Sequence, residues 1–456
     1  MSKMAFYSTN GKSPRISVSL AEALITGQAP DKGLYMPETI PTLSKMEIDR
    51  LRGKSYPEVA AYILNKYCEG TFSPELIAEL SEDAYTFPVP LEKITSHRFV
   101  MRLDQGPTAS FKDFAARMMA RMFGALRQEA TKELVILTAT SGDTGSAVAN
   151  AFYKVPNIQV MVLFPKAEVS DRQRKQMTTL GHNITIVGID GKFDDCQALV
   201  KRAFADPGLS HIFLSSANSI NIGRLLPQSV YYIYAYTQLA ENFEPVIFCI
   251  PSGNFGNMMG ALLAMKMGLP IRKIIVATNE NDEVPEYFRT HIYQKIEPSR
   301  SCISNAMNVG HPSNFARVID IYGGHMDETG TIHRAPDLEK MKQEIWAVSI
   351  TDQETRDTIR SAWQTHRLLL EPHGAVGWAG LDHFCREFPG SGETGEIMIS
   401  IETAHPAKFP DEIESLLSFT PEIPKSLADL DQKKESFLNL SNDYDQFYHL
   451  LNRQYA

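Results

Sequence analysis

The 456-residue chain is poor in cysteine, poor in tryptophan and without a surplus of positive charge, and two of these shortages exclude whole classes of protein. Its five cysteines, Cys68, Cys196, Cys249, Cys302 and Cys385, are odd in number and widely scattered. That argues against a disulfide framework or a cysteine-based zinc site. Cys249 lies inside an apolar run and reads as core. Aspartate and glutamate outnumber lysine and arginine by 54 to 45, giving a net charge of −9 and a pI near 5.8. A nucleic-acid partner would call for a basic face, and none is evident. No apolar run is long enough to span a membrane. The opening residues, Met1-Ser2-Lys3-Met4-Ala5-Phe6-Tyr7-Ser8, lack the apolar core of a signal peptide, so a cytoplasmic protein is expected. His311-Pro312, His373-Gly374 and His405-Pro406 sit in three turns, and no pair has the short helical spacing of a zinc site, so no metal is expected.

What the chain does hold is an ordinary globular composition, 43% hydrophobic and 22% charged, and enough length for two or three domains. Residues 1–95 read as a small mixed domain, helical around Leu20 to Leu24 and Tyr56 to Tyr67, with Pro/Gly-rich connections such as Ala29-Pro30-Asp31-Lys32-Gly33. From residue 96 onward apolar strands alternate with amphipathic helices, the rhythm of an α/β protein with open, mostly parallel sheets and flanking helices. The expected strands are Leu134 to Leu137, Gln159 to Phe164, Ile184 to Val187, Val246 to Ile250, Lys273 to Ala277 and Ile397 to Ile401. The expected helices include Asp113 to Leu126, Asp171 to Leu180, Asp194 to Phe204, Arg224 to Leu239 and Met258 to Met267. From Pro424 a charged linker is expected to lead to a terminal amphipathic helix, Tyr444 to Tyr455. The expected division is 1–95, an N-terminal domain; 96–145 with 220–423, a large α/β domain; 146–219, a smaller α/β domain; and 424–456, a helical tail.

The stretch around which these parts are arranged is Gly106-Pro107-Thr108-Ala109-Ser110-Phe111-Lys112-Asp113-Phe114. A lysine does chemistry at neutral pH when its pKa is depressed or when it becomes an imine, and a helix start among Phe111, Phe114 and Ala115 offers such desolvation. Taken alone, Lys112 reads more readily as a snorkelling or surface lysine at a helix N-terminus, since perturbed lysines are the minority. A second stretch changes the balance. Pro251-Ser252-Gly253-Asn254-Phe255-Gly256-Asn257 follows an apolar strand and opens a helix, so backbone N–H groups and the helix dipole converge on an anion site. An imine-forming lysine with a lone phosphate cup is what pyridoxal phosphate requires.

Three further turns follow strands, where open parallel sheets collect ligands. Thr138-Ala139-Thr140-Ser141-Gly142-Asp143-Thr144-Gly145 offers hydroxyls and N–H groups to a carboxylate or phosphate; the plain alternative is N-capping by Ser141 or Asp143. Asn218-Ser219-Ile220-Asn221-Ile222-Gly223-Arg224 brings Ser219 and Arg224 to a helix start, where the guanidinium suits a phosphate or forms a surface salt bridge. Glu402-Thr403-Ala404-His405-Pro406-Ala407-Lys408 ends a strand, and Thr403 either bonds a ring nitrogen or satisfies its own turn. Gly142-Asp143-Thr144-Gly145 fits neither the dinucleotide-binding nor the phosphate-loop pattern, which argues against NAD or ATP.

In this order the five stretches, with Gly33-Leu34-Tyr35-Met36-Pro37 and Glu371-Pro372-His373-Gly374-Ala375, resemble threonine synthase over nearly the whole chain. That is a fold-type II pyridoxal-phosphate family with a tryptophan synthase β-like fold. The resemblance implies that Lys112 is the Schiff-base lysine, that Gly253, Asn254, Phe255, Gly256 and Asn257 bind the cofactor phosphate, and that Thr403 faces the pyridine nitrogen. It places Asp143 beside the cofactor's 3′-oxygen, where many fold-type II relatives have asparagine. Thr140, Ser141, Thr144, Ser219 and Arg224 fall where the family holds the substrate's phosphate and carboxylate. The implied reaction turns O-phospho-L-homoserine and water into L-threonine and phosphate. The implied partner is that small phospho-amino acid, with no nucleic acid and no membrane, in a monomer or homodimer. On the same scaffold stand a phospholyase releasing 2-oxobutyrate, a threonine or serine dehydratase, and a catalytically silent ligand-binding paralogue.

Overall fold

The computed structural model describes residues 4–11, 16–393 and 395–456; Met1 to Lys3, part of the opening stretch read above for a leader, lie outside the described residues. Parallel strands covered on both faces need near-continuous apolar runs, and Val246–Pro251 and Leu134–Ala139 are buried at every position. They belong to two different sheets. The larger runs in the order Ile345–Ser349, Ile271–Thr278, Val246–Pro251, Met398–Glu402, Arg98–Arg102, Leu91–Lys93. Its neighbours are parallel except the last pair, which is antiparallel. The smaller runs Leu438–Ser441, Ile184–Asp190, Ile158–Pro165, Leu134–Ala139, Leu214–Ser215, parallel throughout.

Three expectations are corrected here. A boundary at 145 places Leu134 to Leu137 with the large domain, yet this strand pairs with Ile158–Pro165 and Leu214–Ser215 in the smaller sheet. The helix Asp143–Phe152 is the crossover of a parallel strand–helix–strand unit, and consecutive strands of such a unit usually lie side by side. An apolar run announces a buried strand but not which sheet takes it. The tail, expected as linker and helix, also contributes the edge strand Leu438–Ser441. Its helix, Tyr444–Tyr455, presses Phe447, Leu450 and Leu451 onto Cys196, Leu199 and Val200 of the smaller core. The helix expected from Arg224 to Leu239 is broken into Ile222–Leu225, a 3₁₀ turn Leu226–Ser229 and Val230–Leu239. Pro227 lacks the N–H that a continuous helix needs.

The N-terminal part forms an antiparallel three-stranded sheet, Val18–Ser19, Ala5–Ser8 and Tyr35–Pro37. Helices follow, two of which start on reciprocal capping boxes, Ser44 with Glu47 and Ser55 with Glu58. Tyr56 then places its ring 4.9 Å from Tyr85, 5.2 Å from Phe114 and 5.3 Å from Tyr234. Each such pair contributes roughly 0.5–1.5 kcal/mol beyond burial. Through Phe114 this cluster grips the helix Lys112–Arg127 at its first turn. No helix among the described residues is long and apolar enough to cross a membrane.

Candidate active site

All five expected turns follow the carboxyl ends of strands, and hydrogen bonds tie several of them together. The Lys112 loop is built first. Asp113 accepts from Thr108 N at 2.8 Å and Thr108 Oγ1 at 2.6 Å, closing the turn that precedes the helix. A Cβ on Gly106 would lie 2.3 Å from Asp113 Oδ2, so glycine is required there. Ala109 is left-handed at φ 53°, and its carbonyl accepts from His405 N at 3.0 Å while Phe111 N donates to Thr403 O at 2.9 Å. The Thr403 turn therefore clamps the lysine loop from the far side, and such strained backbone persists where the surroundings over-determine it.

Lys112 is the first residue of its helix, with its ammonium 4.5 Å from the Phe111 ring centroid and 3.7 Å from Asp143 Oδ2. Burial pushes the amine down to about 8, the nearby Lys408 and Arg224 charges acting in the same direction and Asp143 opposing. Asp143 is itself buried, and burial works to raise its carboxyl. The ammonium groups of Lys408 and Lys112 overcome that and hold it well below the usual carboxylate range. Its Oδ1 accepts from Lys408 Nζ at 2.6 Å and from Gln173 Nε2 at 2.9 Å. Lys408, completely buried, also donates to Thr108 O at 3.0 Å.

On the other side of the site, Arg224 is 3% exposed, donates from Nη1 to Ala217 O at 2.7 Å, and has no hydrogen-bond partner at Nε. Burial lowers its guanidinium to about 10. Among the described residues no carboxylate forms a salt bridge with it, which sets aside the surface-pair reading. Asn254 donates to Ser219 Oγ at 2.6 Å and accepts from Ser313 N at 2.6 Å, so its side chain ties two turns together. Phe255, left-handed at φ 61°, caps the helix Gly256–Lys266 without a side-chain bond, which leaves the helix-start amides without a protein cap. Asn257 Oδ1 accepts from both Tyr231 and Tyr232 hydroxyls at 2.6 Å, while its Nδ2 has no partner.

The turn after Leu134–Ala139 differs from its plain reading. Neither Ser141 nor Asp143 caps the helix; the cap position is Gly142, at φ 130° and ψ −80°. A Cβ on Gly142 would lie 2.5 Å from the Gln173 side chain. Thr140 Oγ1 accepts from Gly142 N at 2.9 Å and Gly145 N at 2.7 Å, so its acceptor serves the turn itself. Ser141 and Thr144 are half-buried, and among the described residues no hydrogen bond engages their hydroxyls or that of Thr403.

Sequence reading missed several members. Lys408 was quoted only as part of its turn, and a buried lysine looks like a surface one in sequence. Arg317 sits with Asp320 in the otherwise apolar helix Phe315–Ile321, where a charge among apolar residues was the available signal. It is fully buried and donates to Ser219 O at 3.2 Å, Ile220 O at 2.7 Å, Tyr35 O at 3.2 Å and Asn314 Oδ1 at 2.6 Å. Asn314 in turn donates to Asn254 O at 2.9 Å. Glu371 accepts from His373 Nδ1 at 2.5 Å, and His373 Nε2 accepts from Ala306 N at 3.0 Å. That holds residues 305–307 against Gly253, where a Cβ would meet Met307 Cα at 2.7 Å. The spacing Gly390-Ser391-Gly392-Glu393-Thr394-Gly395 does match the dinucleotide pattern, but it precedes the strand Met398–Glu402 instead of following one, and Thr394 lies outside the described residues.

Comparison with known proteins agrees with this arrangement. Residues 86–398 match the family described as pyridoxal-phosphate dependent enzyme, residues 5–85 the threonine synthase N terminus, and residues 375–450 the threonine synthase C-terminal family. The chain is 38% identical to the threonine synthase of Haemophilus influenzae over 442 residues, covering 96% of this chain and 97% of that one. It is also 38% identical to that of Escherichia coli over 422 residues, 92% of this chain and 93% of the other. The crystal structure of the pyridoxal-phosphate-bound threonine synthase from Brucella melitensis superposes with a TM-score of 0.91 at 34% identity, covering 99% of this chain and all of that one. The Escherichia coli structure gives 0.87 at 36% identity, over 99% and 100% of the two chains. The cofactor fits the residues present: a buried amine lowered to about 8, uncapped helix-start amides, and buried donors without protein partners on Arg224 and Asn257. The chain belongs to the threonine synthases, within the pyridoxal-phosphate-dependent enzymes.

Proposed function

We propose that the chain converts O-phospho-L-homoserine and water to L-threonine and phosphate at the site around Lys112. The observation that carries this reading is the buried Lys112 amine, lowered to about 8 and 3.7 Å from an ionised Asp143. An amine near 8 has a far larger neutral fraction at neutral pH than an ordinary lysine, so more of it is able to accept a proton. Lys112 would hold pyridoxal phosphate covalently, with residues 253–257 around its phosphate, Asp143 near its 3-oxygen and Thr403 at its ring nitrogen. When bound, the pyridine ring supplies an electron sink for charge that develops on the substrate carbons.

Lys112 Nζ takes the substrate's α-proton, releases it and, neutral again, takes a β-proton. The Cγ–O bond breaks, and phosphate leaves with the bonding electron pair. Protons return to Cγ and Cα while water adds its oxygen to Cβ and gives up a proton, so that substrate plus water balances threonine plus phosphate. Arg224 and Ser219 hold the phosphate, and the Thr140–Thr144 turn, with the Ser141 and Thr144 hydroxyls, receives the carboxylate. The buried, carboxylate-free guanidinium of Arg224 supports that assignment, because an anionic substrate would supply the partner it lacks.

The reading extends to a small phospho-amino acid as substrate, a cytoplasmic location and a monomer or homodimer, with the net charge of −9 supporting the absence of a nucleic-acid partner. The chain divides, in this reading, into an N-terminal part, a large part carrying the six-stranded sheet, and a smaller part that takes both Leu134–Ala139 and the tail. The test is to incubate the purified holoenzyme with O-phospho-L-homoserine and assay phosphate, threonine and 2-oxobutyrate together. Equal phosphate and threonine are expected; phosphate with 2-oxobutyrate would make the protein a phospholyase, and no phosphate release would refute the reading.

A further inference from the structure

Lys408 stands outside the roles assigned so far. Its side chain is completely buried, and its ammonium meets two acceptors that both belong to the lysine site: Asp143 Oδ1 at 2.6 Å and Thr108 O at 3.0 Å. Thr108 in turn is bonded to Asp113, the residue after Lys112. Asp143 offers its two oxygens to two different ammonium groups, Oδ1 to Lys408 and Oδ2 to Lys112. A buried carboxylate is stable only when paired, and a buried lysine likewise. One carboxylate between two ammonium ions leaves a net positive cluster.

We propose that Lys408 is a positioning residue that fixes Asp143 as an anion turned toward Lys112 and, through its own charge, keeps the Lys112 amine ready to lose its proton. The proposal rests on the reading of Lys112 as the working base. Two effects oppose each other at Lys112. Asp143 at 3.7 Å favours the ammonium, while the Lys408 charge across the same carboxylate disfavours it. Arg224 adds to the second effect and Glu371 to the first. On Asp143 the other titratable neighbour is His373, whose Nε2 accepts from Ala306 N and whose Nδ1 proton points to Glu371. Its effect on Asp143 is smaller than that of either lysine, Lys408 and then Lys112 acting most strongly on the carboxyl. Gln173, the remaining group on Oδ1, brings only a dipole.

Removing the Lys408 charge leaves Asp143 to Lys112 alone, and Lys112 should then hold its proton more tightly. The experiment uses the cofactor-free full chain with ¹³C-labelled lysine, following the Lys112 resonance against pH by NMR and assigning it by its absence in Lys112→Arg. In Lys408→Met the Lys112 titration should move up by about one unit, a tenfold loss of neutral amine at a given pH below the titration point. Lys408→Arg, which keeps charge and donors, should restore the original titration. Lys408→Gln keeps donors without charge, so it serves where the methionine variant fails to fold and should show the same upward shift. A Lys112 titration that stays in place, or moves down, in the folded neutral variants would overturn the proposal. Absence of threonine formation by the unaltered holoenzyme would instead refute the functional reading and leave this titration untouched.

Discussion

A buried ammonium is a burden on the fold, and the burden has a pH signature. Lys112 is lowered from 10.5 to about 8. Each unit of pKa shift is worth about 1.4 kcal/mol between the two protonation states, so at pH 7 the folded, cofactor-free chain carries a penalty of about 3 kcal/mol for keeping this amine charged. Lys112→Met removes the penalty, while Asp143 retains Lys408 as its partner. The sign follows from proton counts. Between about 8 and 10.5 the unfolded chain keeps the Lys112 proton and the folded chain has released it, so wild-type stability rises with pH across that window. The methionine variant has no such term. Its stability relative to wild type should therefore be highest at pH 7 and should decline by about 3 kcal/mol by pH 10.5. Urea unfolding of the two cofactor-free proteins, in matched buffers from pH 7 to 10.5, measures the difference. Cofactor must be absent, because a ligand of the folded state adds its own stabilisation. A difference that is flat with pH, or that grows toward alkaline pH, would refute the assignment of Lys112 as a desolvated amine.

Arg224→Ala should reduce kcat/KM for O-phospho-L-homoserine by about a hundredfold, since losing a buried charge-assisted contact to an anion costs about 2–5 kcal/mol; an unchanged kcat/KM would remove Arg224 from the phosphate site. Gly145→Ala sets two effects against each other within the helix Asp143–Phe152. Alanine gains about 1 kcal/mol in helix propensity, but its Cβ would lie 2.5 Å from both Met177 Sδ and Thr140 Cγ2 and 2.9 Å from Val162 Cγ1, and overpacking costs about 1–3 kcal/mol. Net destabilisation is expected as a lower urea midpoint, and a higher midpoint would mean that these neighbours yield freely.

Much of the fold was legible because parallel strands must be apolar at nearly every position and the turns after them carry glycine, asparagine and hydroxyl residues. Val246–Pro251 with its Gly/Asn turn, and the helix Lys112–Arg127 after Gly106, are visible on those grounds. Sheet membership was not legible. Leu134–Ala139 looks the same in either sheet, and Leu438–Ser441 has only two apolar residues and is mostly exposed. Within the site, residues that meet a ligand announce themselves by type and position, whereas residues that hold those residues do not. Lys408, Gln173, His373 and Arg317 act through contacts made across 30 to 300 positions of sequence, and no local pattern encodes such a contact.

That division has a physical basis in how charge is handled below the surface. Arg317 is buried with no carboxylate paired to it among the described residues and satisfies its guanidinium on three carbonyls and one amide oxygen. It can therefore fix Tyr35, Ser219 and Asn314 without bringing a negative charge beside Ser219. Arg224, by contrast, leaves Nε without a partner, and an unpaired buried donor costs about 1–3 kcal/mol. The two arginines thus separate scaffold from function on the same side of the site: one is fully satisfied within the chain and rigidifies it, and the other retains a donor that an incoming anion would satisfy. The lysines repeat the pattern, with Lys408 paired at 2.6 Å and Lys112 at 3.7 Å from the same carboxylate. There the tighter contact belongs to Lys408, which holds the geometry, and the looser one to Lys112, the proposed working base.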